Sequence, residues 1–373
     1  MSKRRFSLFV SSAPGLEPLV LGELTGLGLT GRVEPGGVAL STSLSGLYRT
    51  LLGVGTGFRV LLRVARFRAL NFSQLEHELS RAPWGEVLPA APLLRIRATS
   101  RKSKLYHTGA IAERIERGLA SVLGPPEQTT GEGLMLQARF ERDVCTLSLD
   151  LCGDPLSKRG YRQQTAKAPL REDLARALLL LAGFDGRAAL LDPLCGAGTL
   201  VIEAARLALK VPPGQDRGFA VSELPFHAPA VFDQALRGLL PAAPLPALRP
   251  LWGSDRDQGA VLAAQANAER GGVGDVVRFS VGALSRAELP EGPGLIVANP
   301  PYGKRLGSVR ALRDLYAALG ALRRRAPAGS RLALVTPEPE LARATGVSLR
   351  SALMTDAGGI KVRFYLEEGA DEA

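Results

Sequence analysis

The sequence predicts an α/β protein in which a small α+β half precedes a doubly wound, mostly parallel sheet. From Arg171 onward, short apolar strands alternate with helical stretches, a pattern typical of repeated β–α units. Before that point, strands of alternating polarity are separated by glycine-rich turns. The length of 373 residues is enough for two or three domains.

The first half has the elements of a compact α+β unit. Its strands, which alternate apolar and polar residues, are predicted at 6–10, 58–67, 93–98, 134–140 and 144–151. Its helices are predicted at 17–27, 73–79 and 103–123. Gly124 and the two prolines after it mark the end of the last helix.

The second half repeats a strand followed by a helix. The predicted strands lie at 188–191, 252–254, 276–281, 294–298 and 331–336. The predicted helices lie at 174–181, 199–209, 257–270 and 309–325. The proline-rich segment 212–250 interrupts this alternation and is expected to be an insertion of loop and helix.

The composition excludes several classes of protein. The chain is 46% hydrophobic and 22% charged, which is enough apolar material for a core and argues against disorder. Its longest apolar runs are far shorter than the roughly 20 residues of a membrane span, and the N-terminus does not resemble a secretory leader. Three cysteines without a CxxC pair and three scattered histidines argue against a disulfide framework and a metal centre. We therefore expect a cytoplasmic protein without metal.

The positive charge is concentrated in the first half. The formal net charge is +11, and residues 1–170 contain 23 basic and 14 acidic residues, against 24 and 22 in residues 171–373. A basic module joined to a nearly neutral one indicates a polyanion-binding part attached to another function. A surface rich in arginine for compositional reasons alone would give the same excess.

A glycine loop follows the apolar strand at 188–191. It runs from Asp192 through Cys195, Gly196 and Gly198 to Thr199, where a helix begins. Glycines let a ligand approach the backbone, and the helix N-terminus offers N–H donors. Asp192 would repel a pyrophosphate but suits a cationic amine. The loop lacks the third glycine of the dinucleotide motif and the Lys-Ser or Lys-Thr of a phosphate loop.

A second acidic site follows the next strand, at Asp255 and Asp257. A carboxylate at this position can accept hydrogen bonds from both hydroxyls of a ribose. We assign that role to Asp255 and expect Asp257 to be a helix N-cap. An amine and a ribose without a phosphate describe S-adenosylmethionine, which the sequence therefore predicts as the cofactor.

The sequence Asn299-Pro300-Pro301-Tyr302 ends another apolar strand. The prolines fix the backbone and remove N–H donors, so the Asn299 side-chain oxygen and the Pro300 carbonyl can accept from an exocyclic NH2 group. Tyr302 offers a flat face for a flipped-out base, and stacking of this kind contributes about 1–3 kcal/mol. A rigid strand-end turn with a surface tyrosine is the alternative.

With these motifs the second half resembles class I S-adenosylmethionine-dependent methyltransferases acting on exocyclic amines. More narrowly, it is similar to the THUMP-domain RNA guanine-N2 methyltransferases of the bacterial large-subunit ribosomal RNA branch. Further stretches that carry the resemblance are 158–162, 168–175, 192–205 and an insertion with Pro213, Gly214, Arg217 and Phe219. The likeness is close over about 150–373, whereas the first half matches in pattern more than in motif.

The resemblance implies a Rossmann-like methyltransferase domain preceded by an α+β THUMP module with a ferredoxin-like N-terminal part. The implied divisions are 1–57 ferredoxin-like, 58–155 THUMP, 156–175 linker and 176–373 catalytic. The implied donor-binding residues are Asp192, Cys195, Gly196, Gly198, Thr199, Asp255, Arg256, Gly282 and Ala283. The implied catalytic residues are Asn299, Pro300, Pro301 and Tyr302. The implied partner is RNA, with large-subunit ribosomal RNA favoured and tRNA as an alternative.

The chain departs from the family at one place. Relatives usually have an Asp near the adenine amine, where this chain has Gly282 and Ala283, which leaves backbone groups or Arg256 to hold the adenine. We expect direct methyl transfer to guanine N2 without a strong general base, and we interpret Cys195 as a packing residue. The other interpretations are a DNA adenine-N6 methyltransferase and a non-catalytic RNA-binding assembly factor.

Overall fold

The computed structural model describes residues 4–126, 133–163, 170–243, 247–302 and 309–368, with side chains from residue 312 onward in the last range. Two seven-stranded sheets, one in each half of the chain, organise these residues. The segment 164–169, which includes Ala168 and Pro169 of the linker resemblance, lies outside the described residues.

The first sheet has the strand order β2-β3-β1-β4-β7-β6-β5. Its strands are β1 (Phe6–Ser11), β2 (Gly31–Glu34), β3 (Gly37–Thr42), β4 (Arg59–Arg68), β5 (Leu94–Arg101), β6 (Leu134–Glu141) and β7 (Val144–Asp150). Its helices are α1 (Glu17–Gly26), α2 (Leu44–Gly53), α3 (Phe72–Arg81), α4 (Trp84–Val87) and α5 (Thr108–Leu123). Alternate strand residues and the inner faces of these helices share one apolar core.

Strand β4 joins the two parts of this sheet. It pairs antiparallel with β1 through Leu8 and Leu62, and antiparallel with β7 through Leu62 and Leu149. The predicted boundary at residue 57 therefore falls just before a strand that both parts share. The division into ferredoxin-like and THUMP domains stays a prediction.

The second sheet has the strand order β10-β9-β8-β11-β12-β14-β13. Its strands are β8 (Ala189–Asp192), β9 (Leu251–Asp255), β10 (Arg278–Val281), β11 (Gly294–Ala298), β12 (Arg331–Thr336), β13 (Leu349–Asp356) and β14 (Lys361–Glu367). The helices in this part of the chain are α6 (Glu172–Leu181), α7 (Thr199–Ala208), α8 (Pro229–Arg237), α9 (Gln258–Arg270), α10 (Val309–Arg325) and α11 (Pro339–Ala344).

This second sheet is parallel from β10 to β12, and β14 runs antiparallel to β12 and β13. Successive strand residues enter different cores: Leu190 packs with α6 and α7, whereas Leu191 packs with α10 and α11. The sheet is therefore covered on both faces, as predicted. The chain leaves β8 toward β9 on one side and β11 lies on its other side, so the sheet has a topological switch point beside β8.

Two differences from the predicted elements have clear physical causes. The helix predicted from residue 103 begins at Thr108, because Ser103 and Lys104 bond to the Asp143 turn instead of to a helix. The sequence patterns also missed β13 and β14. In β13, a register shift between Ser351 and Leu353 interrupts the alternation, so its two-residue period is not continuous.

The insertion predicted at 212–250 attaches the second half to the first. It contains helix α8, which packs against α2, where the rings of Tyr48 and Phe232 lie 5.3 Å apart. The Tyr48 hydroxyl lies 3.0 Å from His227 Nδ1 and accepts the Ala228 backbone N–H at 2.8 Å. The Gly214 backbone N–H donates to the Leu52 carbonyl at 2.9 Å.

Arg159, at the start of the predicted linker, is buried between the halves. Arg159, which is 1% exposed, donates to the carbonyls of Gly55 at 2.5 Å and Leu156 at 2.6 Å. Its Nε lies 3.5 Å from an oxygen of Glu203 on α7. The backbone of Gly160 has φ +99°, and a Cβ there would lie 2.8 Å from the Asp216 carbonyl, so this position favours glycine.

Candidate functional site

The carboxyl ends of β8, β9, β10 and β11 open into one cavity of about 840 Å³. Strands β8 and β11 are hydrogen-bonded neighbours, with Leu191 opposite Ile296. Asp192 and Asn299, which end these strands, therefore enter the same space from adjacent positions. The cavity lies at the switch point, where open α/β sheets bind ligands.

All but one of the predicted site residues line this cavity. The lining includes Asp192, Cys195, Gly196, Thr199, Asp255, Arg256, Gly282, Ala283, Asn299, Pro300, Pro301 and Tyr302. The exception, Gly198, precedes helix α7 with φ +84°. A Cβ on Gly198 would lie 3.0 Å from both Ala264 Cβ and Phe279 Cζ, so the absence of a side chain lets the loop pack against α9 and β10.

Asp192 is a buried carboxylate at the base of the cavity. It is 2% exposed, and Oδ1 accepts the Leu194 backbone N–H at 3.1 Å. The pKa of Asp192 is raised to about 8, chiefly by burial, with the Leu194 hydrogen bond lowering it and the nearby charge of Asp255 raising it. No cationic side chain of the described residues contributes to that pKa. A cationic amine of a bound ligand would stabilise the negative charge of Asp192 and lower its pKa.

Asp255 ties the glycine loop to the end of β9. Its Oδ2 accepts the Gly196 backbone N–H and its Oδ1 accepts the Asp257 backbone N–H, each at 3.0 Å. A carboxylate has about four lone-pair sites, so both oxygens can still accept hydroxyl donors. Asp257 caps α9 by accepting from Gly259 and Ala260, which confirms its predicted role.

The end of β10 forms a third wall of the cavity. The Gly282 backbone N–H donates to the Asp255 carbonyl at 2.9 Å, and a Cβ on Gly282 would meet no atom within 4 Å. Arg256 and Ala283 are exposed at the rim, and Leu284 is buried. The wall is thus open and largely made of backbone.

Residues 299–302 form the fourth wall. Pro300 is buried and Asn299 is half-buried. Tyr302 packs between the two apolar cores on either side of the sheet. Burial raises the pKa of the Tyr302 hydroxyl, so the ring stays neutral.

Sequence patterns missed the apolar part of the lining. Leu312, Leu315 and Ala318 of α10 face the cavity, together with Leu170 from the linker. The three- and four-residue spacing of apolar side chains in 309–325 could have identified the α10 face. Leu170 could be placed only once the linker was seen to fold beside the sheet.

The structure also bears on the predicted packing role of Cys195 and on possible metal ligands. Cys195 is buried, and burial together with the Asp192 and Asp255 carboxylates raises the pKa of its thiol. The thiol therefore stays protonated, in keeping with a packing role. Within the described ranges, no group of three or more His, Cys, Asp or Glu side chains could hold a metal ion.

Comparison with known families gives separate matches for two parts of the chain. Residues 159–350 match the RMKL-like methyltransferase domain, and residues 7–61 match the RlmL ferredoxin-like domain. The chain belongs to the RMKL-like methyltransferase family. The predicted family and fold class are therefore confirmed. A ferredoxin-like part begins the chain, and the Rossmann-like methyltransferase domain follows it.

Individual relatives of this RMKL-like chain agree. A ribosomal RNA large subunit methyltransferase K/L of Syntrophotalea carbinolica is 37% identical over 95% of this chain and 52% of its own length. A candidate RNA methyltransferase of Synechocystis, slr0064, is 32% identical over 84% of this chain and 83% of its own length. The chain spans about half the length of the K/L relatives it matches.

A solved structure supports the predicted cofactor. The candidate methyltransferase SMU.472, crystallised in complex with S-adenosylhomocysteine (SAH), is 27% identical, covers each chain fully and has a TM-score of 0.88. With the methyltransferase family match, this confirms S-adenosylmethionine as the predicted cofactor. Among the helices of the described ranges, none is long and apolar enough to cross a membrane.

Proposed function

We propose that this RMKL-like chain methylates the exocyclic N2 amine of a guanosine in RNA, with large-subunit ribosomal RNA as the substrate. The observation that carries the proposal is the position of Asp192 and Asn299 at the ends of adjacent strands in one cavity. A carboxylate that would bind the donor's amine and a loop that would accept the target amine lie side by side there, which would bring the two reacting groups together.

In this proposal, the amine, the ribose and the adenine of the donor would lie at the ends of β8, β9 and β10 in that order. Asp192 would accept the donor's amine, and Asp255 would accept its ribose hydroxyls. Because β10 lies beyond β9, the adenine would rest against Gly282, Ala283 and Arg256. The backbone of Gly196 and the start of α7 at Thr199 would border the methionine part.

The base-binding residues lie on the other side of β8. The Asn299 side-chain oxygen and the Pro300 carbonyl would accept the two N–H bonds of the guanine amine and orient its lone pair toward the donor. Pro301 would hold this backbone rigid, and Tyr302 would stack on the base. Leu312 and Leu315, which line the same cavity, would exclude water.

The reaction requires little acid–base chemistry from the protein. S-adenosylmethionine supplies an electrophilic methyl group bound to a sulfonium. The N2–C bond forms as the S–C bond breaks, and the sulfur keeps the electron pair. The methylated nitrogen then loses a proton to water. Asn299 would stabilise the positive charge that develops on nitrogen, which is a contribution of preorganised dipoles.

The RNA substrate is supported by the relatives and by the charge distribution. The relative of Syntrophotalea carbinolica is named for large-subunit ribosomal RNA and that of Synechocystis for RNA. The basic excess lies in residues 1–170, outside the catalytic sheet. The predicted cytoplasmic location agrees with such a substrate.

The test is labelled methyl transfer to undermodified large-subunit RNA, total tRNA and DNA, followed by nucleoside analysis. N2-methylguanosine in large-subunit RNA is the expected product, and the Asn299→Ala variant should give almost none. N2-methylguanosine in tRNA alone would show that tRNA is the substrate. N6-methyladenine in DNA would show that the protein is a DNA adenine methyltransferase. Donor binding by calorimetry without transfer to any pool would favour the assembly-factor alternative.

A further inference from the structure

The first half of the glycine loop is tied to strand β9 by backbone N–H groups. The Cys195 backbone N–H donates to the Ser254 carbonyl, and the Gly196 N–H donates to Asp255 Oδ2, each at 3.0 Å. These two bonds fix the loop where it leaves strand β8. Neither of them involves the peptide that leads into helix α7.

That next peptide, which joins Ala197 to Gly198, needs contacts of its own to fix its orientation. Gly198 has φ +84°, and a glycine adopts positive and negative φ with similar ease. The loop sequence alone therefore allows the peptide to rotate, so that its carbonyl and its N–H exchange sides. The Gly198 N–H donates to the Cys195 carbonyl at 2.8 Å, which holds one side of the peptide.

Asn267 of helix α9 holds the other side of this peptide. Its side chain is fully buried, and Nδ2 donates to the Ala197 carbonyl at 3.1 Å. Ala264 lies on the same face of α9, because residues three apart are neighbours on a helix. A Cβ added to Gly198 would come within 3.0 Å of the Ala264 Cβ. The hydrogen bond and the small side chain together hold the loop against α9.

A cation sets the orientation of the Asn267 amide. Arg270 donates through Nη2 to Asn267 Oδ1, and a guanidinium has donors but no acceptor. The amide oxygen must therefore face Arg270, which turns the amide nitrogen toward Ala197. Arg270 is held in turn, since its Nε donates to the Tyr161 carbonyl at 2.9 Å. A chain of hydrogen bonds thus connects the segment between the halves with the glycine loop.

The buried face of α9 is otherwise made of small apolar residues near this point, among them Ala264 and Ala268. Burying an amide is unfavourable unless its polar atoms are hydrogen-bonded, so Asn267 is a costly choice for packing alone. The peptide that it holds borders the cavity, because Ala197 and Thr199, on either side of Gly198, line it. The hydrogen bond therefore acts on the wall of the ligand site.

We propose that Asn267 is a positioning residue for the methyl donor, which holds the peptide between Ala197 and Gly198 in the orientation that donor binding requires. Rotation of this peptide would reverse its dipole beside the methionine part of the donor. Arg270 acts one step further away, by holding the Asn267 amide. The inference rests on the proposed function for the assignment of the glycine loop to the donor.

The variant Asn267→Asp tests the donated hydrogen bond in the full-length protein. A carboxylate has nearly the same shape and can still accept from Arg270, but in its ionised form it cannot donate to the Ala197 carbonyl. Its affinity for S-adenosylhomocysteine, measured by calorimetry, should fall on the order of 10-fold, because affinity falls with the fraction of molecules in the competent orientation. Asn267→Ala should lose a similar amount. Unchanged affinity in both variants would overturn the proposal.

The matched control loses a buried hydrogen bond outside the cavity. Thr345, which is 1% exposed, donates to the Ala342 carbonyl at 2.7 Å at the end of α11. Thr345→Val removes this bond and should lower the urea midpoint of unfolding, as Asn267→Ala does. Its affinity for S-adenosylhomocysteine should stay within about threefold of the wild type, because distant sites act independently. If the control lost as much affinity as Asn267→Ala, the loss would follow from instability and the positioning role would be wrong.

The role of Arg270 can be tested with a double-mutant cycle. Arg270→Gln alone should weaken binding of S-adenosylhomocysteine less than Asn267→Ala does, because the amide remains but is held less firmly. In the Asn267→Ala background, Arg270→Gln should have no further effect on affinity, because Arg270 acts on the loop through Asn267. Losses that add in the double variant would show that Arg270 does not act through Asn267.

Failure of the proposed function can be distinguished from failure of this inference. Unchanged donor affinity in Asp192→Ala would remove the glycine loop from the donor site, and both proposals would be wrong. Lost affinity in Asp192→Ala with wild-type affinity in Asn267→Asp would overturn this inference alone. In methyl transfer to large-subunit RNA, the Asn267 variants should raise the KM for S-adenosylmethionine and leave the KM for RNA unchanged. A rise in the KM for RNA alone would contradict a role at the donor.

Discussion

The Tyr161 hydroxyl donates a hydrogen bond to Glu203 Oε1 at 3.1 Å, and both residues are buried. Tyr161 belongs to the segment between the halves, and Glu203 lies on the helix that begins at the glycine loop. The Arg159 guanidinium reaches the same oxygen of Glu203. The helix that forms one wall of the cavity is therefore braced directly against the linker.

Removing this carboxylate should destabilise the protein strongly. Glu203→Ala leaves the buried Arg159 without its ionic partner, and breaking a buried pair in this way costs about 3–5 kcal/mol. Tyr161→Phe removes only the hydroxyl and should cost about 1–3 kcal/mol. Urea unfolding measures both free energies. If Glu203→Ala cost less than Tyr161→Phe, the carboxylate would not be compensating Arg159.

The donor assignment predicts a specific loss of affinity. Asp192→Ala should weaken binding of S-adenosylmethionine by tenfold to a hundredfold, because a hydrogen bond to a charged group contributes about 1.5–3 kcal/mol. Calorimetry on the folded variant measures the effect. Asp257→Asn keeps the helix cap and serves as the control, which should bind nearly as the wild type. Unchanged affinity in Asp192→Ala would exclude contact with the donor amine.

The same residue predicts a dependence of stability on pH. Burial raises the pKa of Asp192 to about 8, whereas an unfolded Asp titrates near 3.9. Between those values the folded state binds more protons than the unfolded state, so this group makes stability fall as pH rises. The Asp192→Asn variant lacks this effect.

Relative to the wild type, ligand-free Asp192→Asn should therefore gain stability between about pH 4 and 8, by at most about 1.4 kcal/mol per pH unit. The gain should level off above that range. Unfolding of both proteins across this range is the measurement. A difference that does not change with pH would mean that Asp192 is ionised in the free protein.

The base-binding loop should separate binding from chemistry. Asn299→Ala should retain affinity for donor and RNA but lower kcat by about 100- to 1000-fold, since it removes one preorganised group acting on the transition state. Tyr302→Ala should also raise the KM for RNA, because the stacking on the base is lost. Tyr302→Phe keeps the ring and should have a KM and kcat close to those of the wild type. Near-normal turnover of Asn299→Ala would make residues 299–302 a structural turn.

The sequence predicted best those positions whose structure is determined by neighbouring residues in the chain. Asp257 was predicted as an N-cap from its place before a helix, and its carboxylate accepts two helix N–H groups. The strands at 294–298 and 331–336 were predicted with their observed bounds, because continuous apolar runs are typical of strands buried on both faces.

The missed features depend on contacts between distant parts of the chain. Leu170 lines the cavity, and Arg162 holds it there by donating to its carbonyl at 3.2 Å and to Glu172 at 3.0 Å. Helix α2 was also missed: Ser43 caps it in the ordinary way, but its apolar side chains meet both the first core and the insertion. A local pattern contains no information about such partners.

The packing of α8 on α2 has a consequence for the order of events during synthesis. Helix α2 ends at Gly53 and α8 begins at Pro229, so a ribosome adding about 5–20 residues per second finishes the covering helix on the order of 10 to 40 seconds later. Throughout that interval the nascent chain exposes the α2 surface around Tyr48. The α2 surface is therefore covered only after the insertion has emerged, which leaves an apolar helix face open to other contacts during synthesis.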